Sequence, residues 1–374
     1  MRVRIISRYV IAEAIGPFFV GLFFFTFIFF AEALNRVIRQ VVERGAPFTQ
    51  ALELFLYMMP FNLAITLPMG VLMGSLMAYG RLSGDSEIVA MKASGLSIVS
   101  IYKPIAIFGV VFFAFMLFFN DVILPEGNYR YRAMFYYVLN MKPSVAVEER
   151  RFMALPDTTQ RISASKISGN IMSNVTIYDE SSPTKRVVIT ATKGEWVNNK
   201  QNAQLINLHL ENGMLQETET DNPRNATYTP FKDLTINLSR NIVDVITEHH
   251  RSDLESPSWV IKKRMVEGKK HGMSRGELNE HNIEYQKRFS LAFACLIFTL
   301  LGGPLGTVSR RSGKGVGFGI SIAIIFIYYI FMVLGQMLGR SGVLPAALGM
   351  WVPNIVLGVT GAVLFYRLWH AEGK

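Results

Sequence analysis

The chain has 374 residues, 50% of them hydrophobic and only 18% charged, and 38 Lys and Arg against 28 Asp and Glu give a net charge of +10. The positive excess does not point to nucleic acid: basic residues gather beside apolar stretches (Arg2, Arg4 and Arg8; Arg310, Arg311 and Lys314; Arg367) and form no patch interleaved with aromatics. One cysteine, Cys295, excludes an intramolecular disulfide and a thiolate metal site, and no residue pattern calls for a metal or a cofactor.

An apolar helix needs about 20 residues to cross a hydrocarbon core some 30 Å thick. The first run that qualifies is Ala14–Ala31. Ala31-Glu32-Ala33 looks like a signal-peptide cleavage site, but the run is longer than the roughly 7–15 residues of a signal core. It also carries Pro17 and flows into the helix-compatible Leu34–Arg44, so a retained first helix is expected. Just beyond it, Arg36 and Arg39 lie one turn apart and project from one side. A planar guanidinium there suits the phosphate of an anionic lipid. Glu32 before Arg36 and Glu43 after Arg39 offer ordinary intrahelical pairs instead.

The second run is Leu54–Gly80. The loop after it, Arg81 to Gly95, reads as a short capped helix. Asp85 and Ser86 suit its start, Glu87 favours the positive end of the dipole, and Gly95 fits the stop. Ile88 and Met91 share one face. Such a helix either connects two spans at the interface or docks a partner through Asp85, Ser86, Glu87 and Met91.

The third run, Pro104–Asn120, is followed by Arg130 and Arg132, a second candidate cationic site for lipid phosphates. The polar insert that follows carries β signals: Arg186-Val-Val-Ile-Thr, Gln204-Leu-Ile-Asn-Leu-His-Leu and Leu234-Thr-Ile-Asn-Leu-Ser. Glu211-Asn212-Gly213-Met214 predicts a tight hairpin turn. Strands of this kind suit a sandwich or jelly roll, whose edge is either blocked or open to a strand from another protein. From Ser258 to Arg288 the chain turns charged and helix-compatible, a lead into the fourth run, Phe289–Ser309.

Gly315–Gly339 and Ser341–Tyr366 complete the set. Between the fourth and fifth runs, Gly313-Lys314 misses a P-loop, because Val308 occupies the first-glycine position and Gly315 follows the lysine. His249-His250 has the wrong spacing for a metal pair on one helix face, and no paired acids mark a hydrolase. Gly70-x-x-x-Gly74, Gly315-x-x-x-Gly319 and Gly335-x-x-x-Gly339 allow close helix approach.

Positive residues beside spans mark the cytoplasmic side. Arg2, Arg4 and Arg8 put the N-terminus inside. Successive crossings then place Arg81–Lys103 inside, Asp121–Arg288 outside, and the dense basic loop Arg310–Lys314 and the C-terminus inside. Only the loop with Arg36, Arg39 and Arg44 breaks the rule. The fold class expected is a polytopic α-helical membrane protein with six transmembrane helices and an inserted all-β, jelly-roll-like domain. The expected boundaries are 1–124 for the first membrane half, 125–270 for the β domain and 271–374 for the second half.

Three stretches carry a family resemblance: Arg8-Tyr9 before the first span, Pro68-Met69-Gly70-Val71-Leu72-Met73-Gly74 in the second, and Ser86-Glu87-Ile88-Val89-Ala90-Met91-Lys92-Ala93-Ser94-Gly95. With the three-plus-three layout they resemble the permease family of the lipopolysaccharide exporter, LptF/LptG, over nearly the whole chain. Ile5-Ile6-Ser7-Arg8-Tyr9-Val10 is more similar to the LptF branch. The resemblance implies a non-catalytic permease in the bacterial inner membrane, paired with a paralogous permease and served by a cytosolic ATPase dimer that engages the glutamate of the coupling helix, here Glu87. It implies that lipopolysaccharide enters between first and fifth spans and passes through a periplasmic β domain to a jelly-roll bridge protein. Arg36 falls where the family carries phosphate-binding basic residues, while Ala33 departs from the basic residue some members show one turn earlier. A permease for another lipid or lipoprotein cargo would use similar parts, and a lipid-modifying enzyme would need acids or metal ligands that this sequence does not place together.

Overall fold

The computed structural model describes residues 2–37, 48–141, 149–154, 160–179, 185–198, 206–219, 226–237, 251–308 and 314–370. Arg39, Glu43, His249, His250, Arg310 and Arg311 lie outside the described residues, as do the side chains of Glu32, Ala33, Arg36 and Lys314. The contacts divide the chain into two compact units. One comprises Met1–Glu32, Met58–Tyr129 and Arg251–Lys374, the other Ala33–Tyr57 and Arg130–His250.

Lipid offers backbone groups no hydrogen-bond partner, so each long apolar run folds as a helix. These helices are α1 (Arg2–Val37), α2 (Phe48–Gly84), α4 (Ile98–Phe118), α7 (Arg275–Val308), α8 (Lys314–Arg340) and α9 (Ala346–His370), with the seven-residue α3 (Glu87–Ala93) between α2 and α4. A single π turn, Phe119–Ile123, joins α4 to α5 (Leu124–Met141), and α6 (Ser258–Lys270) precedes α7. By length and composition, six of the described helices can span a membrane.

The membrane unit is built round α2 and α7, whose most apolar stretches are 78% and 72% buried, against 22% for α1 and 28% for α8. Without water to drive apolar contact, helices in lipid associate through close packing and hydrogen bonds. Gly302 and Gly306 of α7 lie against the α2 backbone at Leu76 and Gly80. Ser75 Oγ donates to Phe298 O at 3.3 Å and Ser83 Oγ to Thr307 O at 2.8 Å. Gly70 and Gly74 take the backbone of α1 at Phe18 and Ala14, and Gly335 of α8 meets Gly349 of α9. These two Gly-x-x-x-Gly pairs therefore serve packing within the chain, while Gly319 has nothing within 4 Å of where a Cβ would stand.

In the other unit, β1 (Met153–Ala154), β2 (Gln160–Ser168), β3 (Ile171–Asp179), β4 (Lys185–Asn198), β5 (Ile206–Glu219) and β6 (Ala226–Asn237) form one antiparallel sheet paired in chain order. Ile162, Met172, Val175, Ile177, Trp196, Leu208 and Leu210 bury one face, the alternation shifting phase between Met172 and Val175, where Asn174 is left-handed. The inserted β domain is thus present. Its described strands form a meander, without the crossing connection of a jelly roll.

The hairpin expected at Asn212-Gly213 is overturned, because both residues sit inside β5. Asn212 does take the left-handed conformation (φ 50), and Asn174 on β3 does the same (φ 48). The register runs through unbroken on either side, Ala191 opposite Gly213 and Lys193 opposite Glu211, so no residue is inserted. Thr192 Oγ1, between the two asparagines on β4, donates to Glu211 O at 3.0 Å. The dihedrals that suit a turn here crease the sheet instead. Beside the crease, Lys193 Nζ donates to Glu211 Oε1 at 2.8 Å, which raises the lysine pKa and lowers the glutamate's. The tight turn in this region is Gly169-Asn170, between β2 and β3, with Gly169 at φ 61.

Candidate functional site

The α3 helix ends as its sequence predicts. Gly95 has φ 85, its N–H donates to Lys92 O at 2.9 Å, and Leu96 N–H donates to Met91 O at 3.2 Å. This is a Schellman closure, with Met91 and Leu96 both packed on the membrane core. The start differs from expectation. Ser86 is the N-cap residue, but it sits at φ 59 and its side chain caps nothing. The chain is held there by Asp85 N–H on Arg81 O at 2.9 Å and Ser86 N–H on Ser83 O at 3.1 Å, which finish the turn after α2. Ile88 is buried under α3, while Val89 is exposed and Met91 half-buried.

Beneath α3 the polar groups converge on Arg81. Its Nη2 donates to Glu13 Oε2 at 2.6 Å and to Tyr9 Oη at 2.8 Å, its Nε pairs with Glu13, and its Nη1 reaches Asp85 Oδ2 at 3.3 Å. Tyr9 Oη donates to Glu87, 2.8 Å from Oε2 and 3.0 Å from Oε1. Arg81 Nη1 lies 3.8 Å from Glu87 Oε1. Sequence reading singled out Asp85 and Glu87 but missed Glu13 and the roles of Tyr9 and Arg81, because α1 and α2 must cross before these residues meet.

Arg130 is exposed and Arg132 half-buried, both on α5, and the backbone of Arg36 continues α1. Two polar centres emerge that the sequence did not single out. Arg288 of α7 is only 3% exposed, and it donates from Nη1 to Ser256 O at 2.7 Å and from Nη2 to Asp253 O at 2.5 Å. The π turn contributes Asn120, which donates to Arg288 O at 3.0 Å, and Asp121, which accepts Ser258 N–H at 2.6 Å. Asp253 accepts from Arg264 Nη1 at 2.9 Å and pairs with His281. The second centre is a cleft of about 720 Å³ that gathers Lys262, Lys269, Arg275 and Arg340, with no carboxylate among its described lining. Among the described residues no group of His, Cys, Asp or Glu could hold a metal.

Residues 8–367 match the model of the family described as lipopolysaccharide export system permease LptF/LptG. The chain belongs to the LptF/LptG permease family. It is also similar to the lipopolysaccharide export system permease protein LptF of Escherichia coli (strain K12), 22% identical over 98% of this chain and 95% of the relative, and equally to that of Shigella flexneri. An uncharacterized protein of Rickettsia prowazekii (strain Madrid E) is 21% identical over 60% of this chain and 61% of its own length. As an LptF/LptG permease, the chain is a multi-pass inner-membrane subunit of the lipopolysaccharide exporter, an ATP-binding-cassette transporter.

Proposed function

We propose that this permease pairs with a paralogous permease and docks a separate cytosolic ATPase dimer through α3, with Glu87 as the contacting charge and Asp85, Ser86 and Met91 shaping the surface around it. The observation that carries this reading is α3 itself. It is a short helix closed at its C-terminus, with Ile88 buried on its underside and Val89 exposed, at the family's coupling-helix sequence. The termini and α3 lie on the cytoplasmic side and the β domain lies in the periplasm, where it hands lipopolysaccharide to a jelly-roll bridge protein. Of the two branches, the chain acts as the LptF-type partner, a reading supported by Ile5–Val10 and by the two LptF relatives. The thin burial of α1 and α8 supports a lipid path and a partner surface along those helices, which turn Phe19, Phe23, Phe27, Phe326 and Met337 outward. Arg36, Arg39, Arg130 and Arg132 are assigned to the phosphates of the passing lipid.

Two substitutions test the assignment. Glu87→Ala should leave the protein inserted while ATPase co-purification and lipid transport fall. Unchanged transport at equal expression sinks the docking assignment. Arg36→Ala with Arg39→Ala should weaken lipopolysaccharide binding, since a charge-assisted contact contributes about 1.5–3 kcal/mol, or roughly ten- to hundredfold in affinity. Photo-crosslinking from position 36 in the assembled transporter reads this directly. Equal crosslinking from the opposite helix face would return the arginines to intrahelical pairing.

A further inference from the structure

Glu87 is already engaged inside its own chain. The Tyr9 hydroxyl from α1 donates to its carboxylate, and Arg81 holds Tyr9, Glu13 and Asp85 together. In the ion pairs of the described residues, Arg81 faces the carboxylates of Glu13, Asp85 and Glu87, an acidic surround that favours a further cation. A cationic side chain makes a stronger, charge-assisted bond to a carboxylate than a phenol does. A cation arriving at Glu87 would therefore compete with the Tyr9 hydroxyl for the carboxylate and shift or weaken that bond, while Arg81 continues to hold Tyr9. Tyr9 belongs to α1, whose neighbouring Val10, Ala14 and Phe18 are buried in the membrane core, so a pull on Tyr9 acts on a helix seated against that core.

We propose that Tyr9 and Arg81 are positioning residues that latch α3 to α1, so that a cationic group of the ATPase seating on Glu87 is felt directly by the first membrane helix. The proposal rests on the reading of α3 as the docking helix and adds the route by which docking reaches a membrane span.

The test uses the assembled transporter in lipid nanodiscs, with lipopolysaccharide as the probe. ATPase co-purification, ATP hydrolysis and lipid released per ATP are each measured for Tyr9→Phe, Arg81→Gln, Arg81→Lys and Glu87→Ala. Tyr9→Phe removes one hydroxyl and keeps the ring. It should retain the ATPase and continue to hydrolyse ATP while lipid released per ATP drops roughly fivefold, the size of one hydrogen bond of about 1 kcal/mol. Arg81→Gln should do the same, and Arg81→Lys should recover part of the loss because it keeps the charge without the planar fork. If Glu87→Ala is defective while Tyr9→Phe releases wild-type lipid per ATP, the latch is wrong and the docking assignment stands. If Tyr9→Phe loses the ATPase in proportion to its transport, the hydroxyl merely anchors α3 and the latch is again overturned. If Glu87→Ala matches wild type, docking and latch fall together.

Discussion

Arg288 shows what a single buried charge demands of its surroundings. Both of its terminal nitrogens donate to carbonyls of the segment ahead of α6, and Glu284 Oε1 lies 3.7 Å from its Nε. Removing one partner of a buried ionic network is far more damaging than never having had it, at about 3–5 kcal/mol. Arg288→Ala should therefore lower the melting temperature of the purified protein markedly. Lys287→Ala, one residue earlier and, among the described residues, paired with Glu284 alone at 3.9 Å, should change it little. Equal shifts for the two would show that the Arg288 network is not holding the segment. Sequence could not rank Arg288 above Lys287, since both sit in one charged, helix-compatible stretch. The difference is made by the carbonyls of Asp253 and Ser256, which only the turn from α6 into α7 brings within reach. The cleft of Lys262, Lys269, Arg275 and Arg340 was illegible for the same reason, its cations coming from three separate helices.

Elements were more readable where one local rule decides them. The helices followed from apolar length, and the stop of α3 followed from Gly95. Where the same local chemistry serves two geometries, reading failed: Asn212-Gly213 supplies the left-handed dihedral of a turn, but continuous pairing with β4 and β6 on either side keeps it within a strand. The three Gly-x-x-x-Gly motifs were likewise indistinguishable in sequence, and the structure ranks them. A Cβ on Gly335 would run into the backbone of Gly349, whereas one on Gly319 meets nothing. Gly335→Ala should thus reduce the thermal stability of the isolated chain in detergent, by about 1–3 kcal/mol for an overpacked contact. Gly319→Ala should leave that stability unchanged. A destabilised Gly319→Ala in the isolated chain would contradict the open face of α8.

At the scale of the whole molecule, orientation is the property that charge alone forecast. The structure offers clean positions to test it. In a Cys295→Ala background, Lys166→Cys on β2 and Tyr228→Cys on β6 should react with an impermeant maleimide in intact cells, because both positions are exposed. Val89→Cys on α3, also exposed, should react only after the membrane is opened. The reverse pattern would invert the topology. Native Cys295 is fully buried, so the unmodified protein should give no background.

The sparse packing of α1 and α8 also bears on how the protein is made. In water an uncovered apolar helix would be an aggregation hazard, but lipid tails are as apolar as leucine and exact no such penalty. A newly inserted copy can thus persist unaccompanied in the bilayer, and its synthesis need not keep step with that of the paralogous permease proposed to pair with it. Pulse-chase half-lives in membranes should be similar whether or not the second permease is expressed, and rapid proteolysis of the lone chain would show that its outer helices need company from the start.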